Sequence, residues 1–313
     1  MMDWLYAALG LVILLLAGDA LVKGAVNLSL RIGIPALIVS LTIVAFGTSA
    51  PELLISITAA LEGVPGIALG NVVGSNTANI LLVLGIPAMI TTMHTSQCET
   101  HKSYVMMIGA SVLFIALAFV GAFAWVSGLV LLVALAFVLF DAVRDARAHR
   151  AACADLEDPE GADPDMPWWK IGVFLVLGLV GLPLGAELLL DGAVSIARHF
   201  GISETVIGLT LVAVGTSLPE LATTVMAALR RQADVALGNV IGSNMFNLLA
   251  IIGIASLVSP IPVDPAFLRF DLWVMLGASV LLAPFVFLRW DINRPWGVVL
   301  TGLYVLYVVS VLH

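Results

Sequence analysis

Charge is what this chain has least of. Among its 313 residues only 13 are Lys or Arg and 21 are Asp or Glu, against 61% hydrophobic residues and a mean hydropathy of +1.12. Such a composition cannot supply the solvated surface of a soluble domain, and it places the chain in a membrane. Cysteine is almost missing: Cys98 and Cys153 both fall in predicted cytoplasmic loops, where a structural disulfide is not expected. The five histidines, at positions 94, 101, 149, 199 and 313, lie in predicted loops or at the end of the sequence. Without clustered Cys or His there is no zinc, copper or haem site to expect, and no histidine relay at the membrane midplane. A GxxxxGK loop is also absent, which argues against an ATP-driven pump. GNVVGSN and GNVIGSN sit inside apolar stretches rather than after a strand, so a dinucleotide-loop reading fails. The expectation is therefore of no enzymatic activity, no cofactor and no nucleic-acid partner.

What the chain does have is long apolar runs. Ten can be counted, at about 4–22, 35–60, 66–90, 104–120, 125–143, 169–190, 203–228, 235–258, 272–288 and 297–312. A helix of about 20 such residues crosses the roughly 30 Å of bilayer hydrocarbon. The first run lacks the basic start and small-residue cleavage site of a signal peptide, so it is read as a span. With the N-terminus outside, all Lys and Arg except Arg198 and Arg269 fall in cytoplasmic segments, which predicts an N-out, C-out protein. A prokaryotic plasma (inner) membrane is the simplest location, with the lipid bilayer as surroundings and no obligate protein partner.

The sequence repeats itself. TIVAFGTSAPEL (42–53) matches TLVAVGTSLPEL (210–221) at nine of twelve positions, and GNVVGSNTAN (70–79) matches GNVIGSNMFN (238–247) at seven of ten. Both pairs are offset by 168 residues, as are Asp19 and Glu187 in the opening runs. Residues 1–143 and 169–313 then form two five-span halves, and an odd number of spans makes the second cross in the opposite sense. Between them, residues 144–168 read as a polar cytoplasmic linker. Six of its acids, Asp155, Glu157, Asp158, Glu160, Asp163 and Asp165, lack calcium-loop spacing and read as a solvated segment.

The repeated segments carry the chemistry. Pro51 and Pro219 lack an amide proton and disfavour the preceding helical turn, so carbonyls near Ala45 to Gly47, and near Ala213 to Gly215, are expected to leave the helical ladder. Thr48 and Glu52 are four residues apart and address one face; Thr216 with Ser217 and Glu220 repeat the construction. Ser75 with Asn79, and Ser243 with Asn247, have the same spacing. Hydroxyls, amide carbonyls and carboxylates suit hard cations such as calcium and sodium. Gly70, Gly74, Gly238 and Gly242 are expected to allow close helix packing, while Asn71, Asn76, Asn239 and Asn244 are expected to hold broken backbone rather than ligate. A lone Glu in a membrane helix can be an assembly residue, but duplication with Pro, Thr and Ser in register favours a site. Two ionised glutamates neutralise one divalent cation, and leaving them empty is costly, which suits an antiporter. Sodium and protons both satisfy this charge argument as the counter-ion.

With these motifs in hand, GTSAPEL with GNVVGSNTAN, and GTSLPEL with GNVIGSNMFN, resemble the two alpha repeats of the sodium/calcium exchangers of the calcium:cation antiporter superfamily. That resemblance implies an all-α membrane protein of ten transmembrane helices in two inverted repeats, with the second, third, seventh and eighth helices around the cation sites. By motif position it implies Glu52 and Glu220 as calcium ligands, assisted by the carbonyls of Thr48 and Thr216. Ser49, Ser75, Ser217, Ser243 and the carbonyls of Ala45 and Ala213 would form sodium sites, with Asn79 lining the centre. The first and sixth helices would slide as a gating pair while several sodium ions exchange for one calcium. Where many such exchangers have an aspartate this chain has Asn247, which keeps a ligand oxygen but cannot titrate. Calcium/proton exchange therefore stays open as an alternative, with a cation channel or a non-transporting sensor behind it.

Overall fold

The computed structural model describes residues 2–152, 163, 165–201 and 213–312. It is an all-helical membrane protein. Among the described residues eight helices are long and apolar enough to cross a bilayer. The pair Ala36–Thr48 and Ala50–Leu61, bent by 45°, makes a ninth when it is counted as one span. Its counterpart in the second half contributes the shorter helix Leu218–Leu229, preceded by residues 202–212, which lie outside the described residues.

The duplication read from the sequence recurs in the elements themselves. Met2–Ile32 and Trp168–His199 open the two halves; Ala50–Leu61 and Leu218–Leu229 begin one residue before their prolines, at an offset of 168. The helices Gly66–Ile90 and Ala233–Val258 have 78% and 89% of their most apolar stretch buried, so they form the centre of the bundle. Each is interrupted by a π-helical turn at its second asparagine motif, Asn79–Val83 and Phe246–Ile251. A π turn inserts one extra residue into the helix and is frequent at functional sites.

The opening helices run antiparallel. A Cβ on Gly10 would fall 2.3 Å from Leu189 N, one on Gly178 2.5 Å from the Leu21 side chain, and one on Gly192 2.6 Å from Ala7 N. Only glycine allows backbones to approach this closely. Outside the bundle, two short contacts tie the loops together: Ala122–Phe123 pairs with Ile261–Pro262, and Met93 bridges Ile292. Beside the second, Asp291 accepts from Ser96 N–H and from His94 at 3.0 Å. Against the desolvation that pushes it up, these partners hold the Asp291 carboxyl below its ordinary range.

Two expectations are corrected. The opening helix extends to Ile32 and the fifth span to Ala152, well beyond the apolar runs that predict them. The stretch VRDARAHRAA is mostly Ala and Arg, without Gly or Pro, so the helix continues past the hydrophobic edge into the predicted linker. Asp155, Glu157, Asp158 and Glu160 of that linker lie outside the described residues. Gly238 and Gly242 do permit close packing, since a Cβ would meet Leu37 O at 2.8 Å and Leu41 O at 2.6 Å. Gly70 and Gly74 do not: among the described residues a Cβ would meet only Phe267, at 3.9 Å, or nothing within 4 Å.

Candidate cation-binding site

Four segments meet at the middle of the bundle. Thr48, Ser49 and Glu52 come from the bend of the second span, and Ser217 and Glu220 from the matching bend. Ser75 and Asn79, with Ser243 and Asn247, come from the two central helices, and every one of these nine side chains is at most 4% exposed. Thr216, partly exposed, lies with its hydroxyl 3.5 Å from that of Ser75.

The bends have one local cause. Ser49 (φ −84°, ψ 5°) and Ser217 (φ −86°, ψ 6°) leave helical geometry just before the prolines, and the next helix restarts with Glu52 or Glu220 in its first turn. A helix N-terminus carries positive partial charge, which favours a carboxylate there. The Ala45 carbonyl, expected to be freed, instead accepts from Ser49 N–H at 3.1 Å and faces Thr48 Oγ1 at 3.3 Å. A proline lacks only its own N–H, whose helical acceptor would be the Gly47 carbonyl, so the ladder is lost two residues after Ala45. Ala213 begins the short helical turn Ala213–Gly215; its side chain lies outside the description.

The asparagines build the frame. Asn71 Nδ2 donates to Glu52 O and Ser56 Oγ, both at 3.1 Å, while Asn239 Nδ2 donates to Glu220 O at 3.4 Å and Thr224 Oγ1 at 3.2 Å. Asn76 Nδ2 donates to Asn244 O at 3.1 Å, and Asn244 Nδ2 returns the bond to Asn76 O at 3.3 Å. Asn79 Nδ2 then donates to Asn244 Oδ1 at 3.1 Å and Asn247 Nδ2 to Asn76 Oδ1 at 3.0 Å. These four amides clasp the two central helices together. They also use the Nδ2 groups of Asn79 and Asn247, leaving each Oδ1 with no hydrogen-bond partner.

Removing one member tests this division of labour. Asn76→Leu should strand Asn244 O and Asn247 Nδ2 in the interior, at about 1–3 kcal/mol for each buried group left unpaired. A lower thermal midpoint is expected, with the calcium-induced upward shift retained. Loss of that shift with an unchanged midpoint would instead make Asn76 a ligand.

Around the clasp, oxygens lack partners. Both Glu52 carboxylate oxygens, Glu220 Oε2, Asn79 Oδ1, Asn247 Oδ1 and Ser217 Oγ are buried without a hydrogen bond. Only Thr301 Oγ1, elsewhere in the bundle, shares that condition among the described residues. Native interiors satisfy the great majority of their buried polar atoms, so a cluster of orphaned oxygens needs an explanation. Two fully buried carboxylates, close enough to interact electrostatically, need a positive partner above all. The halves are not equivalent here. Ser49 Oγ donates to Glu220 Oε1 at 3.3 Å, whereas the matching Ser217 Oγ and Glu52 make no such bond. No cluster of three His, Cys, Asp or Glu suited to a metal occurs among the described residues, so the donor set is hydroxyl, amide and two acids.

The family described as "Sodium/calcium exchanger protein" matches residues 2–143 and again residues 170–312. The chain belongs to that family. Its members are transporters. Putative antiporter CaxA of Alkalimonas amylolytica is 38% identical over 281 residues, covering 89% of this chain and 88% of its own. Sodium/calcium exchanger MaX1 of Methanosarcina acetivorans is 34% identical, covering 99% of each chain. Inner membrane protein YrbG of Escherichia coli K12 is 33% identical, covering 95% and 93%. A solved structure of the sodium-calcium exchanger NCX_Mj, soaked with sodium and calcium, superimposes with a TM-score of 0.83 at 32% identity, covering 99% of this chain and 98% of that one. Membership and fold together make this chain a multi-span cation exchanger of the prokaryotic inner-membrane type.

Each orphaned oxygen of this cluster belongs to a residue that the repeated motifs single out. What sequence reading missed were the π turns and the reciprocity of the asparagine clasp. The only available signal for the clasp was the 168-residue offset between Asn76 and Asn244.

Proposed function

We propose that this exchanger moves calcium against sodium by alternating access, in ten spans forming two inverted repeats with both ends outside. One observation carries the reading: two buried carboxylates and their orphaned oxygen neighbours form a set that one divalent cation would satisfy. Glu52 and Glu220 supply two negative charges for one calcium, with Asn79 and Asn247 as neutral oxygen ligands and Thr48 and Thr216 contributing carbonyls. Ser49, Ser75, Ser217 and Ser243, with the carbonyls of Ala45 and Ala213, supply the neutral oxygen shell that sodium needs once calcium leaves. Sodium binding then replaces the lost positive charge. A site stripped of cations holds two uncompensated carboxylates at low dielectric, so it resists the passage through an occluded state that either cargo permits. This is obligatory exchange derived from charge balance. The antiparallel opening helices, whose backbones meet closely along glycines, would slide together as a gating pair against the remaining bundle.

The deciding experiment is radioactive calcium uptake into proteoliposomes loaded with sodium, with potassium-loaded and acid-loaded vesicles alongside. Uptake is expected only with internal sodium. Uptake driven by the proton gradient would make the counter-ion a proton carried by the same two glutamates. Equal uptake in every vesicle would indicate a channel.

A further inference from the structure

We propose that Asp19, Lys23 and Arg230 form a charge latch closing one mouth of the carrier, while the matching Glu187, Asp191 and Glu62 make the opposite mouth self-repelling. The duplicated fold thereby rests in one orientation. The inference rests on the alternating-access reading above, and adds to it a resting bias set by residues outside the cation site.

Asp19 lies within the opening helix, whereas Arg230 follows the last turn of Leu218–Leu229, the helix that carries Glu220. Arg230 donates through Nε and Nη2 to Asp19 Oδ1, and Lys23 Nζ reaches Asp19 Oδ2 at 3.0 Å. The ion pair thus joins a sliding helix directly to a site-bearing one. The Asp19 and Arg230 side chains are only 22% and 29% exposed, so the pair is partly withdrawn from water, where paired charges interact more strongly than on an open surface. Backbone contact reinforces it: a Cβ on the neighbouring Gly18 would fall 3.0 Å from Ala222 O. Beside the latch is a cavity of about 210 Å³ lined by Val22, Lys23, Val26, Leu229, Arg230 and Gln232 among others.

Adding 168 to each number exposes the asymmetry. Asp19 becomes Glu187, Lys23 becomes Asp191, and Arg230 is the counterpart of Glu62. One acid with two bases on one face is answered by three acids on the other. All three are exposed, and none forms an ion pair among the described residues. Closing that mouth in the same way would bring Glu187 toward Glu62, like charge against like. Equivalent backbones with opposite charge pairing do not have equal energies in the two orientations, and the population follows the difference.

The test reads accessibility rather than flux. In full-length protein carrying Cys98→Ser and Cys153→Ser, a Val26→Cys substitution places a thiol in the latched cavity, and a membrane-impermeant maleimide is applied from the Arg230 face of sided proteoliposomes. Asp19→Asn and Arg230→Glu are expected to speed labelling about tenfold, a shift within reach of one partly buried ion pair. Arg230→Lys, which keeps the charge, should leave labelling slow. Glu62→Arg, at an exposed position, should build a second latch with Glu187 and speed Val26→Cys labelling with the first triad intact. Unchanged labelling in Asp19→Asn, Arg230→Glu and Glu62→Arg would overturn the proposal, and Glu62→Arg decides alone if the others fail to fold. The latch and the ion assignment fail separately. Absent sodium-driven uptake with charge-dependent labelling would remove the exchange reading, whereas intact uptake with charge-independent labelling would remove the latch.

Discussion

Glu52→Gln and Glu220→Gln should each lower calcium affinity at least a hundredfold and abolish sodium-driven calcium uptake, without weakening the calcium-free fold. Removing one partner of a buried charge interaction costs about 3–5 kcal/mol, and each 1.4 kcal/mol is tenfold in binding. The stability half of the prediction has the opposite sign. Both Glu52 oxygens and one Glu220 oxygen are buried without a partner, and Ser49 supports the other Glu220 oxygen. Without cations, Glu52 therefore carries the larger desolvation cost, and Glu52→Gln should raise the calcium-free thermal midpoint more than Glu220→Gln. Isothermal titration and thermal unfolding with and without calcium check both halves. Calcium affinity within threefold of the parent for both variants would move the site elsewhere. A large fall in the calcium-free midpoint would make the glutamates structural.

The sequence made the site legible because duplication supplied its own control. One GTSxPEL in an apolar run could be an assembly motif; two at a fixed offset, each followed by GNVxGSN, cannot both be accidents of packing. Residue type then limited the chemistry to hard cations. Partner choice was not legible: Asn76 and Asn79 look alike in sequence, yet one gives its amide to the opposite backbone and the other to an opposite side chain. That difference depends on where the central helices cross, which no local pattern encodes. The equal treatment of Gly70, Gly74, Gly238 and Gly242 failed for the same reason, since identical motifs face different neighbours in the two halves.

Fold boundaries followed a different logic. Hydropathy marks where lipid contact stops, whereas a helix stops where the backbone is broken. In the opening helix, Lys23, Asn27 and Ser29 lower hydropathy, yet Asn27 Nδ2 bonds to Lys23 O and Ser29 Oγ to Val26 O within the same helix. The helix persists to Ile32 and ends at Gly33, whose φ of 72° is open to glycine at little cost. Polar residues that satisfy themselves inside a helix are compatible with burial, and Asn27 and Ser29 are 1% and 2% exposed. The charge that matters most to this helix, Asp19, drew attention in sequence, but of its two partners only Lys23 is local, and Arg230 lies 211 residues away.

Identical glycine-to-alanine substitutions in one helix should have opposite effects, and the contrast would establish close backbone approach in the antiparallel opening pair. Gly172 and Gly185 both belong to Trp168–His199. Alanine is favoured over glycine inside a helix by about 0.8–1 kcal/mol, so propensity alone would make both substitutions stabilising. At Gly172 a Cβ meets nothing within 4 Å, and Gly172→Ala should keep that gain. At Gly185 the same atom would fall 2.8 Å from Leu14 N and 3.0 Å from Gly10 O, backbone atoms that cannot rotate away. The helices must separate, and overpacking of this kind costs about 1–3 kcal/mol, which exceeds the propensity gain. Gly10→Ala, whose Cβ would fall 2.3 Å from Leu189 N, should cost more still. Thermal midpoints of the three variants should therefore rank Gly172→Ala above the parent and Gly185→Ala and then Gly10→Ala below it. Exchange should also fall in the last two, because a forced gap between the opening helices distorts the pair that moves against the bundle while leaving every cation ligand in place. Equal midpoints for Gly172→Ala and Gly185→Ala would show that the pair is already loose, and glycine would then be there for something other than close approach.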